Sequence, residues 1–561
     1  MEDGKPGSRQ SFSAASVAGT DTSFAAALVR PQQLEKVPPC RAGCITGGDI
    51  RGWIAVLAQH GNFGLSKPEA WSRAWRMVAE VNPFPATLGR ICPHPCEAEC
   101  NRRTADGAVA INAMERFLGD WALEQRLPLP RLPQDKTPES IGVIGAGPAG
   151  LSFAYQMARR GYRVTVYERE EKPGGMLRYG IPRYRLPENI LDAEIARILE
   201  LGIELRLGTA IGKNIQPERI KASHDVLFLG IGAGNGLKLG IPGEQGAGAW
   251  TGIEYLWRFN GREPLELGEN VAVVGGGNTA VDAARAALRG GARVTMLYRR
   301  TRAEMPAIAR EIEDALAEGV AVTFLAAPAE IKRADGKVRA VVVQRMALGE
   351  PDSSGRRRPL PVPGSEYELP ADSVVAAISQ EPDWDGLAEL NGRGAWAQAT
   401  LDGRFGEAMW AGGDVLGLGL AGLAIAQGRR AAEAVHAKLR GLQALGTPQR
   451  PALPATQIRA DYYSASTPAS VRQRPVAERL ARPETEVNEA ISEEEFLKEA
   501  SRCFSCGSCF GCEHCFMYCN ARGFARLPAP KPGAYFALSL DNCEACRKCI
   551  ELCPCEFLSP Q

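Results

Sequence analysis

The stretch SIGVIGAGPAGLSFAYQMARRGYRVTVYER, residues 140 to 169, decides the fold. It starts with an apolar run typical of a buried strand and passes through a glycine-rich turn into a segment with apolar residues at helical spacing. It ends in a second apolar run. A strand, a helix and a second strand in this order form a βαβ unit with parallel strands. The chain is therefore predicted to be an α/β protein built on parallel sheets.

The turn in this stretch has the spacing of a dinucleotide-binding fingerprint, GxGxxG. The first glycine turns the chain, the second lets a pyrophosphate approach backbone N–H groups, and the third lets the helix pack close to the sheet. Glu168 ends the second strand, where an acid accepts a hydrogen bond from a ribose 2′-hydroxyl. The predicted binding residues of the turn are Gly145, Gly147, Pro148, Ala149 and Gly150.

A second copy of the unit follows at 270 to 300, NVAVVGGGNTAVDAARAALRGGARVTMLYRR. Tyr298 aligns with Glu168, and Arg299 and Arg300 follow it. An arginine pair attracts the 2′-phosphate of NADPH, which an acid would repel, so the second site is predicted to take NADPH. NADH is the alternative if these arginines are only a solvated strand end. The predicted turn residues are Gly275, Gly277, Asn278, Thr279 and Ala280.

The segment from 136 to 445, here the body, thus has two predicted dinucleotide sites. Two such sites together suggest a resident FAD and an exchanging NAD(P)H. A third segment, MWAGGDVLGLGLAGLAIAQGRRAAEAV at 409 to 435, again combines a strand, glycines and a helix. With it, the body resembles the flavoproteins that carry two dinucleotide-binding domains. The resemblance implies that Gly413 and Asp414 bind FAD. It also implies that an NAD(P)H domain at 235–375 is inserted into an FAD domain at 136–234 and 376–445.

Relatives of this type include disulfide reductases, which pass electrons from flavin to a nearby cysteine pair. The chain has no cysteine from residue 101 to 502. The flavin body therefore has no thiol of its own to reduce, and electrons are expected to leave by another route.

The carboxyl-terminal segment carries eleven cysteines between 503 and 555. Their spacing resembles the doubled CxxCxxCxxxC run of bacterial ferredoxins, where the fourth cysteine of each run binds the cluster of the other run. Only a start at Cys509 gives that register in the first run. Two [4Fe–4S] clusters are predicted, with zinc as the alternative. One is assigned to Cys509, Cys512, Cys515 and Cys553, the other to Cys519, Cys543, Cys546 and Cys549. Cys503, Cys506 and Cys555 stay unassigned.

Five further cysteines lie near the amino end, in PPCRAGCITGG and GRICPHPCEAECNRR. This segment resembles the helical iron–sulfur domain of bacterial NADPH-dependent glutamate synthase small subunits and of dihydropyrimidine dehydrogenase. The resemblance continues to about residue 440 and includes GGMLRYGIPRYRLP at 174 to 187. It implies flavin contacts for Gly175, Met176 and Arg178.

Those relatives hold two clusters and have a further CxxC upstream that is absent here, so one amino-terminal cluster is expected and about three in all. The resemblance implies that Cys44, Cys92, Cys96 and Glu115 bind it. Cys40 and Cys100 correspond to ligands of the lost cluster, or complete an all-cysteine site instead.

The remaining organisation follows from composition. A flexible extension is expected at 1–36, the helical iron–sulfur domain at 37–135, a proline-rich linker at 446–490 and the ferredoxin-type domain at 491–561. The linker would lay the ferredoxin-type domain over the body or let it reach a partner. Ser492, followed by acidic residues, predicts the start of a short helix.

The net charge is +1 at pH 7. This charge creates no positive electrostatic field strong enough to attract nucleic acid or an anionic membrane. No run of eighteen apolar residues occurs, and no export signal is recognised, so a cytoplasmic protein is expected. The predicted partners are NAD(P)H and other redox subunits or a ferredoxin, in a hetero-oligomer.

The predicted function is electron transfer between NAD(P)(H), FAD and [4Fe–4S] clusters, and no catalytic acid or base is singled out. The chain would be the NAD(P)-reactive subunit of a larger complex such as a 2-oxoacid:ferredoxin oxidoreductase. The alternatives are a glutamate-synthase-like electron donor and a redox-sensing scaffold without turnover.

Overall fold

The computed structural model describes residues 29–132, 137–353, 355–388, 395–443 and 451–561. The described helices are α1 (Pro39–Gly43), α2 (Ile50–Ala58), α3 (Lys67–Ala79), α4 (Pro85–Ile91), α5 (Pro95–Ala98), α6 (Ile111–Glu124), α7 (Pro148–Ala158), α8 (Met176–Tyr179), α9 (Glu188–Leu199), α10 (Pro217–Ser223), α11 (Gly252–Gly261), α12 (Asn278–Arg289), α13 (Ala309–Glu318), α14 (Ala421–Arg440), α15 (Val476–Ala481), α16 (Glu493–Arg502), α17 (His514–Met517) and α18 (Lys548–Glu551).

The described strands are β1 (Pro31–Gln33), β2 (Ser140–Ile144), β3 (Arg163–Tyr167), β4 (Glu204–Arg206), β5 (Val226–Leu229), β6 (Asn235–Gly236), β7 (Ala249–Thr251), β8 (Asn270–Val274), β9 (Arg293–Tyr298), β10 (Ala321–Phe324), β11 (Ala326–Ala334), β12 (Lys337–Pro351), β13 (Arg357–Pro361), β14 (Tyr367–Pro370), β15 (Ser373–Ala376), β16 (Gln380–Glu381), β17 (Met409–Ala411), β18 (Phe524–Lys531), β19 (Ala534–Leu538) and β20 (Leu558–Pro560).

The first sheet has the strand order β17-β5-β2-β3-β4, and all its strands are parallel. The opening βαβ stretch supplies β2, α7 and β3, in the predicted order. Helix α7 packs against α14, the helix that follows β17. The carboxyl-terminal part of the body therefore returns to the sheet that the first fingerprint begins.

The second sheet has the order β10-β9-β8-β15-β7, again parallel, and carries an antiparallel layer of β11 to β14. Strand β8 is buried over its last four residues, as expected of a parallel strand covered on both faces. The strands of this sheet run from 249 to 376, between β5 and β17 of the first sheet. The α/β fold class with two such sheets is confirmed. The chain passes from the first sheet to the second through β6 and returns through β16, and these two short strands pair with each other.

The amino-terminal domain is built from α1 to α6, and α16 from the far end of the chain completes its core. The ring of Phe496 stacks on Phe117, with centroids 4.4 Å apart, and meets Trp71 edge-on at 5.4 Å. The predicted helix after Ser492 is confirmed, because Ser492 and Glu495 form a capping box. This helix lies on the helical domain, and not within the ferredoxin-type domain to which the sequence assigned it.

The carboxyl-terminal domain contains the β18–β19 hairpin, α17, α18 and β20. Strand β20 pairs antiparallel with β1, with Gln32 opposite Ser559. The expected flexible extension over 1–36 is therefore wrong for 31–33, since ladder hydrogen bonds hold these residues. Residues 1–28 lie outside the described part of the chain.

The described part of the expected linker, 451–490, lies along the body. Leu453 is buried and its N–H donates to the carbonyl of Val37 over 3.0 Å. Glu486 pairs with Arg90 and Arg116 of the helical domain at 3.0 and 2.9 Å. The ferredoxin-type domain itself contacts the helical domain, where the ring of Tyr535 lies 5.9 Å from that of Phe63. The expectation that the linker lays this domain over the body or lets it reach a partner stays a prediction. None of the described helices is long and apolar enough to cross a membrane.

Candidate functional site

The first cleft opens where the first βαβ turn faces the segment after β17. It encloses about 300 Å³ of free space. The predicted FAD residues that line it are Gly145, Gly147, Pro148, Ala149, Glu168, Gly175, Met176, Gly413 and Asp414. Residues from three separate stretches thus meet at one surface.

Glycine is required at several points of this cleft. Gly145 has a φ of +100°, and a Cβ there would lie 2.5 Å from the carbonyl oxygen of Gly230. A Cβ on Gly150 would lie 2.0 Å from the oxygen of Gly145, and one on Gly175 would lie 2.8 Å from the Cα of Gly147. The start of α7 has no side-chain cap. A cradle of backbone at a helix N-terminus fits the pyrophosphate of a dinucleotide.

Glu168 lies at the edge of this cleft with both carboxylate oxygens oriented by backbone amides. The N–H of Ala146 donates to Oε2 over 2.7 Å, and that of Glu170 donates to Oε1 over 3.0 Å. Burial raises the pKa of this carboxyl group above its usual value. Each oxygen keeps a further lone pair, so the side chain can still accept hydrogen bonds from ribose hydroxyls.

Arg178 was predicted to contact the flavin, but it is not among the residues that line the first cleft. Its guanidinium pairs with Asp192 and, at 3.0 Å, with Glu188, and its Nε donates to the carbonyl of Pro173 over 2.6 Å. The α8 turn directs this side chain toward α9, whereas Gly175 and Met176 line the first cleft.

The second cleft lies at the turn of the second βαβ copy. Its lining includes the predicted residues Gly275, Gly277, Asn278, Thr279, Arg299 and Arg300. Ala280 is fully buried behind it, where its methyl group lets α12 pack on the sheet. Arg356, which no sequence motif marks, also lines this cleft because the β12–β13 hairpin folds over it.

The two arginines after β9 have different environments. Arg300 is buried, donates to the carbonyl of Arg357 over 2.7 Å and pairs with Asp352 at 2.8 Å. Arg299 is exposed, and among the described residues it forms no ion pair. Arg299 is therefore the cation better placed to meet a 2′-phosphate.

The two clefts adjoin. Asn278, Thr279 and Asp414 line both of them. Asp414 accepts a hydrogen bond from the N–H of Gly419 over 3.0 Å, and burial raises its pKa to about 6. Ligands in the two clefts would meet across these shared residues.

The first amino-terminal cysteine group, here the inner group, consists of Cys44, Cys92, Cys96 and Glu115. All four side chains line one small cavity. Burial raises the pKa of Glu115 to about 7, and Asn82 donates to it over 2.8 Å. Cys92 also lines the first cleft. The inner group and the first cleft are therefore separated by a shared wall.

The ferredoxin-type cysteines form two groups in the interleaved register. Burial raises the pKa of Cys515, and the thiols of Cys509, Cys512 and Cys553 raise it further. The pKa of Cys549 is raised to about 11, first by burial and then by nearby thiols. Those thiols belong to Cys519, Cys546 and Cys543. Each run thus has its fourth cysteine beside the other run.

Cys40 and Cys100 lie apart from the inner group. They are close to Cys503 and Cys506, which come from the other end of the chain. We call these four cysteines the split group. Cys555 lies beside Cys553, with 3.9 Å between the sulfur atoms.

In the described part of the chain, no three histidine, cysteine or acidic side chains converge as ligands of a single ion. A [4Fe–4S] cluster takes each of its ligands on a different iron, so its cysteines surround a space and do not meet at a point. The donor sets, four cysteines or three with a carboxylate, fit such clusters.

Comparison with known proteins identifies two family matches. Residues 139–433 match the pyridine nucleotide-disulphide oxidoreductase family. Residues 30–127 match dihydropyrimidine dehydrogenase domain II, a 4Fe-4S cluster domain. Together these matches cover the helical domain and both parallel sheets.

Individual relatives agree with the family matches. The chain is 40% identical over 433 residues to the beta subunit of an NADP(+)-dependent formate dehydrogenase from Moorella thermoacetica, covering 72% of this chain and 60% of that one. It is 39% identical to an NADPH-Fe(3+) oxidoreductase subunit beta from Geobacter sulfurreducens, covering 62% of this chain and 51% of that one. It is 33% identical to the small chain of the NADPH glutamate synthase from Escherichia coli, covering 71% of this chain and 88% of that one.

The chain spans 60% and 51% of the lengths of the first two relatives. The resemblance to glutamate synthase small subunits is confirmed, and the cofactors FAD, NADPH and 4Fe–4S clusters agree with these families. The chain therefore belongs to the pyridine nucleotide-disulphide oxidoreductase family, among the FAD-dependent NAD(P)H oxidoreductases that carry an amino-terminal 4Fe–4S domain.

Proposed function

We propose that this chain takes electrons from NADPH in its second cleft and delivers them through FAD and its cysteine groups to a partner redox protein, or runs the same route in reverse. The observation that carries the proposal is the continuity of the sites. The two clefts share Asn278, Thr279 and Asp414, and Cys92 belongs to both the first cleft and the inner group.

FAD supplies the exchange between two-electron hydride chemistry and the one-electron chemistry of clusters. The protein's own residues supply binding and orientation. The glycine turns bring backbone N–H groups to the pyrophosphates, Glu168 accepts from a ribose, and Arg299 neutralises a 2′-phosphate. The apolar wall of Ile45 and Leu88, beside Cys92, keeps water from the boundary between the first cleft and the inner group.

The partner is proposed to be a larger oxidoreductase. The Moorella and Geobacter relatives are named as beta subunits, which supports a role as the NADPH-reactive subunit of a complex. The carboxyl-terminal cysteine groups supply an outlet of ferredoxin type. A 2-oxoacid:ferredoxin oxidoreductase is one such partner, and a formate dehydrogenase, as in the Moorella relative, is another.

The experiment is an anaerobic titration of the iron-replete protein with NADPH and, separately, NADH. Flavin bleaching is followed in the visible range and cluster reduction by EPR, and viologen reduction gives the turnover rate. We expect NADPH to bleach the flavin, cluster signals to appear, and the dye to be reduced. Bleaching without any cluster signal, even with a stronger reductant present, would contradict the electron route and favour the scaffold without turnover.

A further inference from the structure

We propose that the split group, Cys40, Cys100, Cys503 and Cys506, binds a further [4Fe–4S] cluster whose ligands come from both ends of the chain. This cluster is additional to the one expected at the inner group and to the two of ferredoxin type. The sequence left Cys503 and Cys506 unassigned and placed Cys40 and Cys100 at a lost site. The structure brings the two incomplete pairs together.

The segment that carries Cys503 and Cys506 is anchored on the helical domain through buried arginines. Arg51 is 5% exposed, and its Nη1 donates to the carbonyls of Lys36 and Cys506, each over 2.8 Å. The N–H of Lys36 in turn donates to the carbonyl of Gly507 over 3.0 Å. These contacts hold Cys506 beside the start of α1, the helix that contains Cys40.

A second anchor fixes the segment beside Cys100. Arg102 is 3% exposed, donates to the carbonyl of Arg502, and lies 4.9 Å from the centre of the Phe504 ring. Asn101, the neighbour of Cys100, donates its Nδ2 to the sulfur of Cys506 over 3.6 Å. Both halves of the split group are therefore held by contacts of residues next to Cys100, Cys503 and Cys506, together with Lys36, which lies four residues before Cys40.

The four thiols influence one another as a group. Cys40 lies within electrostatic range of the thiols of Cys503, Cys506 and Cys100. Cys506 lies within the same range of Cys503 and Cys100, and Asn101, next to Cys100, donates to its sulfur. Four sulfurs buried together need positive charge to become thiolates, and the iron ions of a cluster provide it.

Hydrogen-bond donors and cations already surround these sulfurs. The N–H of Ser505 donates to the sulfur of Cys503 over 3.4 Å. The guanidinium groups of Arg51 and Arg102 lie within electrostatic range of Cys503. Donors to sulfur and nearby cations stabilise the negative charge of a thiolate-bound cluster and set its potential.

The split group lies between the inner group and the ferredoxin-type groups. Cys40 is one helical turn from Cys44, about 6 Å along the axis. Cys506 is three residues from Cys509, at most about 11 Å of chain. A redox-inert zinc ion at this point would interrupt a series of electron carriers. This preference for a cluster over zinc rests on the proposed function, whereas the grouping of the four cysteines does not.

The test counts iron, sulfide and zinc in the full-length, anaerobically reconstituted protein. We expect about 16 iron atoms per chain, four for each cluster, where three clusters would give about 12. Cys40→Ala is expected to lower the count to about 12, and so is the double variant Cys503→Ala with Cys506→Ala. Since one cluster is lost in each case, combining all three changes should remove no more iron than either alone.

Cys555→Ala is the matched control, since it removes a buried thiol from the same region but none of the proposed ligands, and it should keep about 16. If the double variant does not fold, the wild-type count and Cys40→Ala still decide. A wild-type count of about 12 that Cys40→Ala leaves unchanged would overturn the proposal, and so would one zinc per chain beside 12 irons. Flavin bleaching by NADPH, followed on the same samples, reports separately on the proposed function.

Discussion

Arg185 and Asp282 form a buried ion pair, with 2.6 Å between Nη1 and Oδ2, and it joins the segment after α8 to the first helix of the second βαβ copy. Their side chains are 8% and 6% exposed. Glu311 of α13 also pairs with Arg185, at 3.2 Å. This small buried network sets the position of one nucleotide domain relative to the other.

Loss of one member of this pair should be costly. Asp282→Leu leaves Arg185 buried with one partner fewer, and we expect the unfolding free energy to fall by about 3 to 5 kcal/mol. Denaturant unfolding followed by flavin fluorescence measures it. Glu269→Gln removes the exposed partner of Arg293 and should cost no more than about 1 kcal/mol. Equal effects of the two changes would contradict the structural role of the buried pair.

Phe496 should stabilise the helical domain although it lies almost four hundred residues beyond it in sequence. The side chain is fully buried against Trp71 and Phe117. Phe496→Ala creates a cavity there and should cost about 3 to 5 kcal/mol. Lys498→Ala, on the exposed face of the same helix, is the control. A melting temperature that is the same in both variants would show that α16 does not complete this core.

Arg299 should distinguish NADPH from NADH. Arg299→Ala removes the exposed cation of the second cleft, and we expect kcat/KM for NADPH to fall about tenfold or more, as for loss of a charged hydrogen bond. The value for NADH should stay within about twofold, since NADH has no 2′-phosphate. Dye reduction with each nucleotide measures both constants.

Arg302→Ala is the matched control for that change, because Arg302 is exposed near the same strand end and pairs with Glu313 at 3.5 Å. An equal loss with both nucleotides in Arg299→Ala would assign this arginine a general structural role and contradict discrimination by the 2′-phosphate.

Glu168 should control retention of FAD. Glu168→Gln leaves one oxygen acceptor where two backbone amides now donate, and we expect the Kd for FAD to rise about tenfold. Titration of deflavinated protein with FAD, followed by fluorescence quenching, gives the constant. Glu171→Gln changes an exposed acid three residues further on that does not line the first cleft, and it serves as control. Unchanged FAD affinity in Glu168→Gln would remove this residue from the site.

Features that depend on residue spacing within a short stretch of sequence were predictable. The strands and helix of 140–169 depend on apolar spacing within thirty residues, and glycine positions in the turn follow from close contacts such as that of Gly150 with Gly145. The double register of the ferredoxin-type cysteines is also a local spacing. The structure has Cys553 beside the first run and Cys519 beside the second.

Contacts between distant segments were not predictable from pattern. Arg300 is paired with Asp352 only because the β12–β13 hairpin folds back over β9. Arg299 and Arg300, which were expected to bind a 2′-phosphate together, therefore have different environments. Arg178 follows a motif, but α9 supplies acids that bind it. Cys503 and Cys506 have the spacing of a ligand pair without a visible partner, since their neighbours come from a segment more than four hundred residues earlier.

The position of α16 has a consequence for how the protein is made. The helical domain ends its own helices at residue 124, yet Phe496 is needed to fill its core. Ribosomes add roughly 5 to 20 residues per second, so the missing helix emerges roughly 20 to 70 s later. During that interval the nascent chain exposes an unfilled apolar groove and unprotected thiols. Chaperone binding and late cluster insertion are therefore expected features of its biogenesis.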